Sequence, residues 1–499
     1  MTEKGLESQF SSLLKEAKVY LKNKDIKTVV SAWDFAKSAH AGQKRLSGDP
    51  YIIHPLEVAK TLVHWKLDRT SIVAGLLHDV IEDTEYKEKD IEKKFGKPVA
   101  NLVNGVTKVT SLRLKGSREE VFIETLRKMI LVMAKDLRVV LIKLADRLHN
   151  MKTLGALPID KQRENALETL EIYAPLSERL GIGEIKGRLE DLAFPYVYPK
   201  EFERINKLSK RYYEQSQNTV EKMQQRLTKE LEKNGIKAKI TGRRKHLYSL
   251  WRKLERKGIG GDFEKVQDII ALRIIVNTDP DCYGVLGIVH AIYKPVPKIG
   301  VSDFIALPKP NGYQSIHTKV FSPNSHIVEV QIRTHAMHDQ AEHGACAHWM
   351  YSSEKNKGVS DRELEDKGIK VGSKLSWVKE LVRWQDELAD SKEFLEAVKF
   401  DALNHRNFIF SPKGDVYDLP QGATPVDFAF VVHTGLGKYI RGATVNDKIV
   451  SLDQKLFSGD VVEIIKSKEA RRPNRDWLEF VVTTVARREI LKEARKINN

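Results

Sequence analysis

Gly75-Leu76-Leu77-His78-Asp79-Val80-Ile81-Glu82-Asp83-Thr84 is the stretch on which the fold turns. Apolar residues lead into it and no proline interrupts it, so it reads as a buried helix. At 3.6 residues per turn, His78 and Glu82 share a face, with Asp79 and Asp83 beside them. Four ionisable groups within six residues are costly to bury in an apolar helix unless a metal ion or a partner balances them. Two further segments supply that balance: His54 in Tyr51-Ile52-Ile53-His54-Pro55, and Asp146 in Ile142-Lys143-Leu144-Ala145-Asp146-Arg147-Leu148-His149-Asn150. His54, His78, Asp79 and Asp146 form a mixed imidazole and carboxylate set. Such a set suits Mn2+ or another borderline-hard divalent ion better than a thiolate-loving one. A His-Asp dipeptide alone occurs by chance in many chains, and the other pieces give this one its weight.

Working outward, residues 1–200 carry apolar residues at helical spacing, as in Val121 to Leu141, and show no strand-like alternation. The metal set therefore belongs to an all-α bundle. The chain stays helical to Asn234-Gly235, a helix stop, so residues 201–234 read as a helical connector. Strands and helices then mix. Ile236 to Ile240 alternates, and Thr241-Gly242-Arg243-Arg244-Lys245 turns into a helix. On that helix Lys245, Ser249, Arg252 or Lys253, and Arg256 face one way, while Leu247, Leu250, Trp251 and Leu254 face the other. Val266 to Val276 is apolar enough to be a central strand, with Asp268 at its leading end as a metal-ligand candidate. Ile327 to Arg333 is a second strand, with Glu329, Gln331 and Arg333 on one side and Val328, Val330 and Ile332 on the other.

Residues 351–404 are charged and read as a helical linker. A small β-rich unit follows over 405–466, with Thr424-Pro425 as the N-cap and first residue of a short helix. Residues 467–499 read as a basic helical tail.

At 499 residues the chain has room for three or four domains of ~150 residues each. A net charge of +16 favours polyanionic partners such as nucleotides, pyrophosphates or RNA without choosing among them. Cys282 and Cys346 form no close pair, which excludes a disulfide scaffold and a zinc–thiolate cluster and fits a reducing compartment. The opening Met1-Thr2-Glu3-Lys4-Gly5 lacks an apolar signal core, and no run approaches ~18 apolar residues. The expected location is cytoplasmic, with no membrane partner.

His40-Ala41-Gly42-Gln43-Lys44-Arg45, the segments around His54, His78-Asp79 and Asp146, and Asn150 together resemble the hydrolase domain of the RelA/SpoT family, a branch of the HD phosphohydrolases. Gly242-Arg243-x-Lys245-x-x-x-Ser249, Ile305 to Thr318, Glu329-Val330-Gln331-Ile332-Arg333-Thr334 and Ala341-Glu342-His343-Gly344 resemble that family's synthetase domain, a nucleotidyltransferase-like α+β fold over 235–350. The unit at 405–466 resembles a TGS domain, a β-grasp module. The resemblance covers roughly residues 20 to 480 of the chain. It implies removal of the 3′-pyrophosphate from ppGpp and pppGpp, with Mn2+ held by His54, His78, Asp79 and Asp146. Glu82 and Asp83 would orient or deprotonate the attacking water, and Arg45 and Asn150 would hold the nucleotide.

The synthetase resemblance implies pyrophosphoryl transfer from ATP to the 3′-hydroxyl of GDP or GTP. Asp268 and Glu329 would hold Mg2+, and Glu329 would also take the hydroxyl proton. Arg243, Lys245, Ser249, Lys253, Lys309 and His317 would contact the nucleotides, and Tyr313 would stack on guanine. His433 would face tRNA or the ribosome.

One departure stands out. Gly300-Val301-Ser302-Asp303, with Lys298 nearby, replaces the Arg-x-Lys-Asp or Glu-x-Asp-Asp usual at that place, so weak synthesis is expected. Two rival readings stay open: a hydrolase whose synthetase domain has decayed into a nucleotide sensor, and a non-enzymatic tRNA- or ribosome-binding protein.

Overall fold

The computed structural model describes residues 3–110, 118–255, 269–297, 300–309, 312–344 and 406–495. They fall into two units, one holding residues 1–302 and 315–382, the other 303–314 and 383–499. The expected combination of an all-α bundle, an α+β domain and a small β-rich module is the one observed. Asp268, Arg256, Lys298 and the linker at 351–404 lie outside the described residues.

In the first unit, helices Ile53–His64 and Arg69–Leu77 pack at Gly75, where an added methyl would overlap the Leu62 side chain. That close approach brings His54 of one helix to His78 at the end of the other. The helix expected to run through Gly75–Thr84 is broken at His78-Asp79, and a short helix, Val80–Asp83, restarts after it. His78 Nδ1 lies 2.8 Å from the Gly75 carbonyl, the group that the Asp79 amide would otherwise use to continue the ladder. The helical spacing read in Val121–Leu141 falls on two helices, Arg118–Lys135 and Leu137–Lys152. Asp136 separates them in extended backbone, its side chain capping the second by accepting from the Arg138 amide. Arg138 also reaches Asp68 at 3.1 Å, and Asp68 caps Arg69–Leu77. One buried guanidinium thus ties together the starts of the helices that carry His78 and Asp146.

The 35-residue helix Pro199–Lys233 ends at Asn234, with Gly235 in the left-handed conformation (φ 73°) that the helix stop required. Strands β1 (Lys239–Arg244), β2 (Ile270–Val276), β3 (Ile316–Phe321) and β4 (Ile327–Thr334) follow, lying side by side in the order β1-β2-β4-β3. The strand read as central, β2, is inner, and its parallel neighbour β4 is the second strand read from the sequence. Thr241–Arg244 belongs to β1 rather than to a helix start. The helix begins only at Leu247, because its apolar stripe, Leu250 and Leu254, is what finds a core against Phe194 and Ile205.

In the second unit, the core around Ile409, Leu419, Val426, Phe430, Ala443 and Val462 also contains Val481, Ala486 and Ile490. The stretch read as a basic tail is helical over Thr484–Arg495, but its apolar side is part of this core. Thr424 caps helix Pro425–Val432 as expected, and Asp427 in that helix is fully buried. Its Oδ1 accepts from the Val482 and Thr483 amides and the Thr483 hydroxyl, and its Oδ2 from the amide and hydroxyl of Thr424. All five contacts come from donors, so an amide in place of the carboxylate would oppose its NH2 to N–H and O–H groups. Asp427→Asn is expected to destabilise this unit by ~1.5–3 kcal/mol, the range for disrupting hydrogen bonds to a charged group. The urea midpoint of proteolytic protection for residues 406–495 reads the effect.

Candidate functional site

The helical cluster is built from three helices. His54, His78 and Asp146 are each buried, and one ligand atom from each lies within 4.8 Å of the others. His54 Nε2 is 3.2 Å from His78 Nε2 and 3.2 Å from Asp146 Oδ1. Asp79, at the rim, divides its oxygens, Oδ1 at 3.2 Å from His78 Nε2 and Oδ2 at 3.4 Å from His54 Nε2.

These residues fit a divalent cation. His78 uses Nδ1 on the Gly75 carbonyl, so its Nε2 carries a lone pair aimed at His54 Nε2 and at carboxylate oxygens. Acceptors facing one another in a buried site call for positive charge between them. Burial lowers the affinity of His54 for a proton, which keeps the ring in its neutral, metal-binding form. Burial would raise Asp146. The Lys143 ammonium instead holds Asp146 well below the usual carboxylate range. Lys143 Nζ is 2.6 Å from Asp146 Oδ2.

Around this cluster, the Tyr51 hydroxyl bridges Asp79 Oδ2 (2.8 Å) and Asp83 Oδ2 (2.6 Å). Glu82 keeps an exposed side, yet partial burial, opposed by Lys143, lifts its carboxyl to about 7. A proton acceptor poised at that value suits water activation near neutral pH. His149 is buried, and burial together with His54 and Arg45 pushes its ring down to about 3, so it stays neutral. A cavity of about 440 Å³ opens beside Asp146, lined by Lys44, Arg45, Tyr51, Asn150 and Asn165 among others. Arg45 Nη2 donates to Asn150 Oδ1 at 2.7 Å, so the two residues assigned to the nucleotide already face one another. Leu46, at the same mouth, is 74% exposed and brings no charge.

On the sheet, cross-strand register places Arg243, Ala271, Glu329 and Lys319 in one row on one face. Glu329 Oε1 lies 3.2 Å from His317 Nδ1, and Glu329 Oε2 accepts from Gln331 Nε2 at 3.1 Å. The next rows hold Arg273 and Arg333, both paired to Glu342 of helix His335–His343, which covers that end of the face. Ser249 turns the other way, its hydroxyl donating to Glu190 of helix Gly183–Val197. In the second unit, Lys309 Nζ stands 4.5 Å over the Phe304 ring and 5.1 Å over Tyr313. The Asp303 carboxylate accepts from the Ile305 and Ala306 amides.

Residues 32–183 match the family model of the HD domain, 242–356 that of a region found in RelA / SpoT proteins, and 407–466 that of the TGS domain. The chain is 44% identical over 490 residues to the bifunctional (p)ppGpp synthase/hydrolase SpoT of Escherichia coli (strain K12), a match covering 98% of this chain and 68% of that protein. The chain belongs to the RelA/SpoT family. This RelA/SpoT chain is also 48% identical to a GTP pyrophosphokinase of Myxococcus xanthus, over 94% of its own length and 61% of that protein. It is 45% identical to a guanosine-3′,5′-bis(diphosphate) 3′-pyrophosphohydrolase of Aquifex aeolicus, over 93% of its length and 64% of that protein. The chain therefore spans somewhat less than two thirds of these last two relatives.

Within this RelA/SpoT protein, Tyr51, Lys143, His149 and Gln331 join the sites from positions inside the motifs that carry the resemblance, without a sequence signal of their own except for Lys143, three residues before Asp146 on one helix. His433 is exposed, and its Nδ1 accepts from the Gly435 amide at 3.1 Å. Among the described residues no helix is long and apolar enough to cross a membrane.

Proposed function

We propose that the chain is a two-centred enzyme of guanosine tetra- and pentaphosphate metabolism. In the helical bundle it would remove the 3′-pyrophosphate from ppGpp or pppGpp, with Mn2+ held by His54, His78, Asp79 and Asp146. The observation that carries this reading is the convergence of two bare imidazole nitrogens and a carboxylate at 3.2 Å, at the edge of a cavity lined by Lys44 and Arg45. A divalent ion supplies two things there: a water acidified toward neutral pH, and neutralisation of phosphate charge. The chain's own residues do the rest. Glu82 takes the water proton, and Tyr51 fixes the direction of Asp79 and Asp83. Arg45 and Asn150 hold the nucleotide, while Lys143 keeps Asp146 ionised.

On the sheet face, Glu329 would bind Mg2+ and take the 3′-hydroxyl proton of GDP or GTP. Arg243 and Lys319, in its row, would steady the phosphates of ATP. Such transfer is mostly positioning plus charge stabilisation, which is what a carboxylate in a basic row supplies. Among the described residues Gly300–Asp303 offers no cation, so synthesis is read as the weaker activity. The TGS module and its exposed His433 would contact tRNA or the ribosome.

Nucleotide chromatography tests both centres: ppGpp with Mn2+, then ATP and GDP with Mg2+. The expected result is loss of ppGpp to GDP and pyrophosphate, with slower formation of ppGpp. Protein that leaves ppGpp intact at every Mn2+ level would refute the hydrolase assignment.

A further inference from the structure

The protonation pattern of His54 is set from outside the metal cluster. His149 lies three residues beyond Asp146 on helix Leu137–Lys152 and is buried. Its Nδ1 is 3.1 Å from Arg45 Nη1 and 2.8 Å from His54 Nδ1. A guanidinium has donors only, so His149 Nδ1 must be the acceptor and carries no hydrogen. A lone pair 2.8 Å away requires the hydrogen of His54 to sit on Nδ1. His54 Nε2 is then bare, and it is the atom that points at His78 Nε2, Asp146 Oδ1 and Asp79 Oδ2.

The alternative tautomer is close at hand. With its hydrogen on Nε2, His54 would donate to Asp146 Oδ1 at 3.2 Å and could no longer ligate. Two carboxylates at the cluster favour that form, so something on the far side of the ring has to oppose it. Arg45 is the origin of the opposition, because its donor character cannot change, and His149 contacts both it and His54 Nδ1.

We infer that His149 is a positioning residue for the metal centre, passing the fixed donor character of Arg45 to His54 and holding His54 in the tautomer that can ligate a divalent cation. The inference rests on reading the cluster as a metal centre. Partners of this kind commonly orient a ligating imidazole, and losing one costs ~10–100-fold in metal affinity. Here the partner is a second imidazole, whose own acceptor state is imposed by an arginine.

Mn2+ affinity of the full chain, measured by competition with a fluorescent chelator, tests it without reference to turnover. His149→Leu, which offers no acceptor, is expected to bind Mn2+ ~10–100-fold more weakly than the unmodified protein. His149→Asn is expected to keep most of the affinity, because its Oδ1 falls where Nδ1 stood. His149→Gln, whose oxygen reaches the Nε2 position instead, should be as weak as the leucine variant. A folded His149→Leu protein with unmodified affinity would overturn the inference, and so would an asparagine variant no better than glutamine. Should the leucine variant fail to fold, the asparagine–glutamine comparison still decides. Unmodified protein that binds no Mn2+ would instead overturn the metal reading itself, which is a distinguishable result.

Discussion

Asp79→Asn protein is expected to lose its divalent metal and its action on ppGpp together. Asp79 Oδ1 and Oδ2 stand 3.2 and 3.4 Å from the two histidine nitrogens that face each other. An amide of the same shape keeps the volume and a partner for Tyr51, but it removes the negative charge and one of the two ligating oxygens. Mn2+ affinity should therefore fall by more than the roughly 10–100-fold that loss of a supporting partner costs. Turnover should fall at least as far, because water left without a cation is not acidified. Synthesis from ATP and GDP, which uses the sheet face, should be unchanged. Metal content by elemental analysis and ppGpp loss by chromatography read the outcome, and near-normal values for both would remove Asp79 from the centre.

Glu329→Gln should give the mirror image. Glu329 receives Gln331 and faces His317, so its carboxylate is held in one orientation within the row formed with Arg243, Ala271 and Lys319. The amide cannot take a proton and binds Mg2+ poorly, so ppGpp formation should fall by roughly 10²–10⁴-fold, the usual share of a general base. Hydrolysis of ppGpp should continue at its normal rate. Synthesis that survives the substitution would show that the hydroxyl proton goes elsewhere.

Sequence reading reached the helical centre because its pieces lie on elements whose period is regular. His54, His78 and Asp146 could be recognised in their motifs without any knowledge of how the helices cross. The break at His78-Asp79 was not legible, since it comes from a side chain competing for a backbone carbonyl, which no periodicity records. On the sheet, alternation in Ile327–Arg333 gave the two faces of β4. The row joining Arg243 to Glu329 depends on register between strands far apart in sequence, and that is fixed by pairing rather than by either strand alone. The tail misled because Arg471, Arg472, Arg475, Arg487 and Arg488 dominate its composition, while Val481, Ala486 and Ile490, the residues that pack, are spread thinly among them.

That packing bears on what counts as one inheritable piece. The TGS match ends at residue 466, yet the oxygens of Asp427 are answered by Val482 and Thr483, and the core is closed by Ile490. A gene fragment copied into another protein with its end at 466 would carry a carboxylate stripped of three donors and an apolar face open to water. The smallest portion that could be shuffled between proteins and arrive folded therefore runs on through helix Thr484–Arg495, some thirty residues past the end of the recognisable motif.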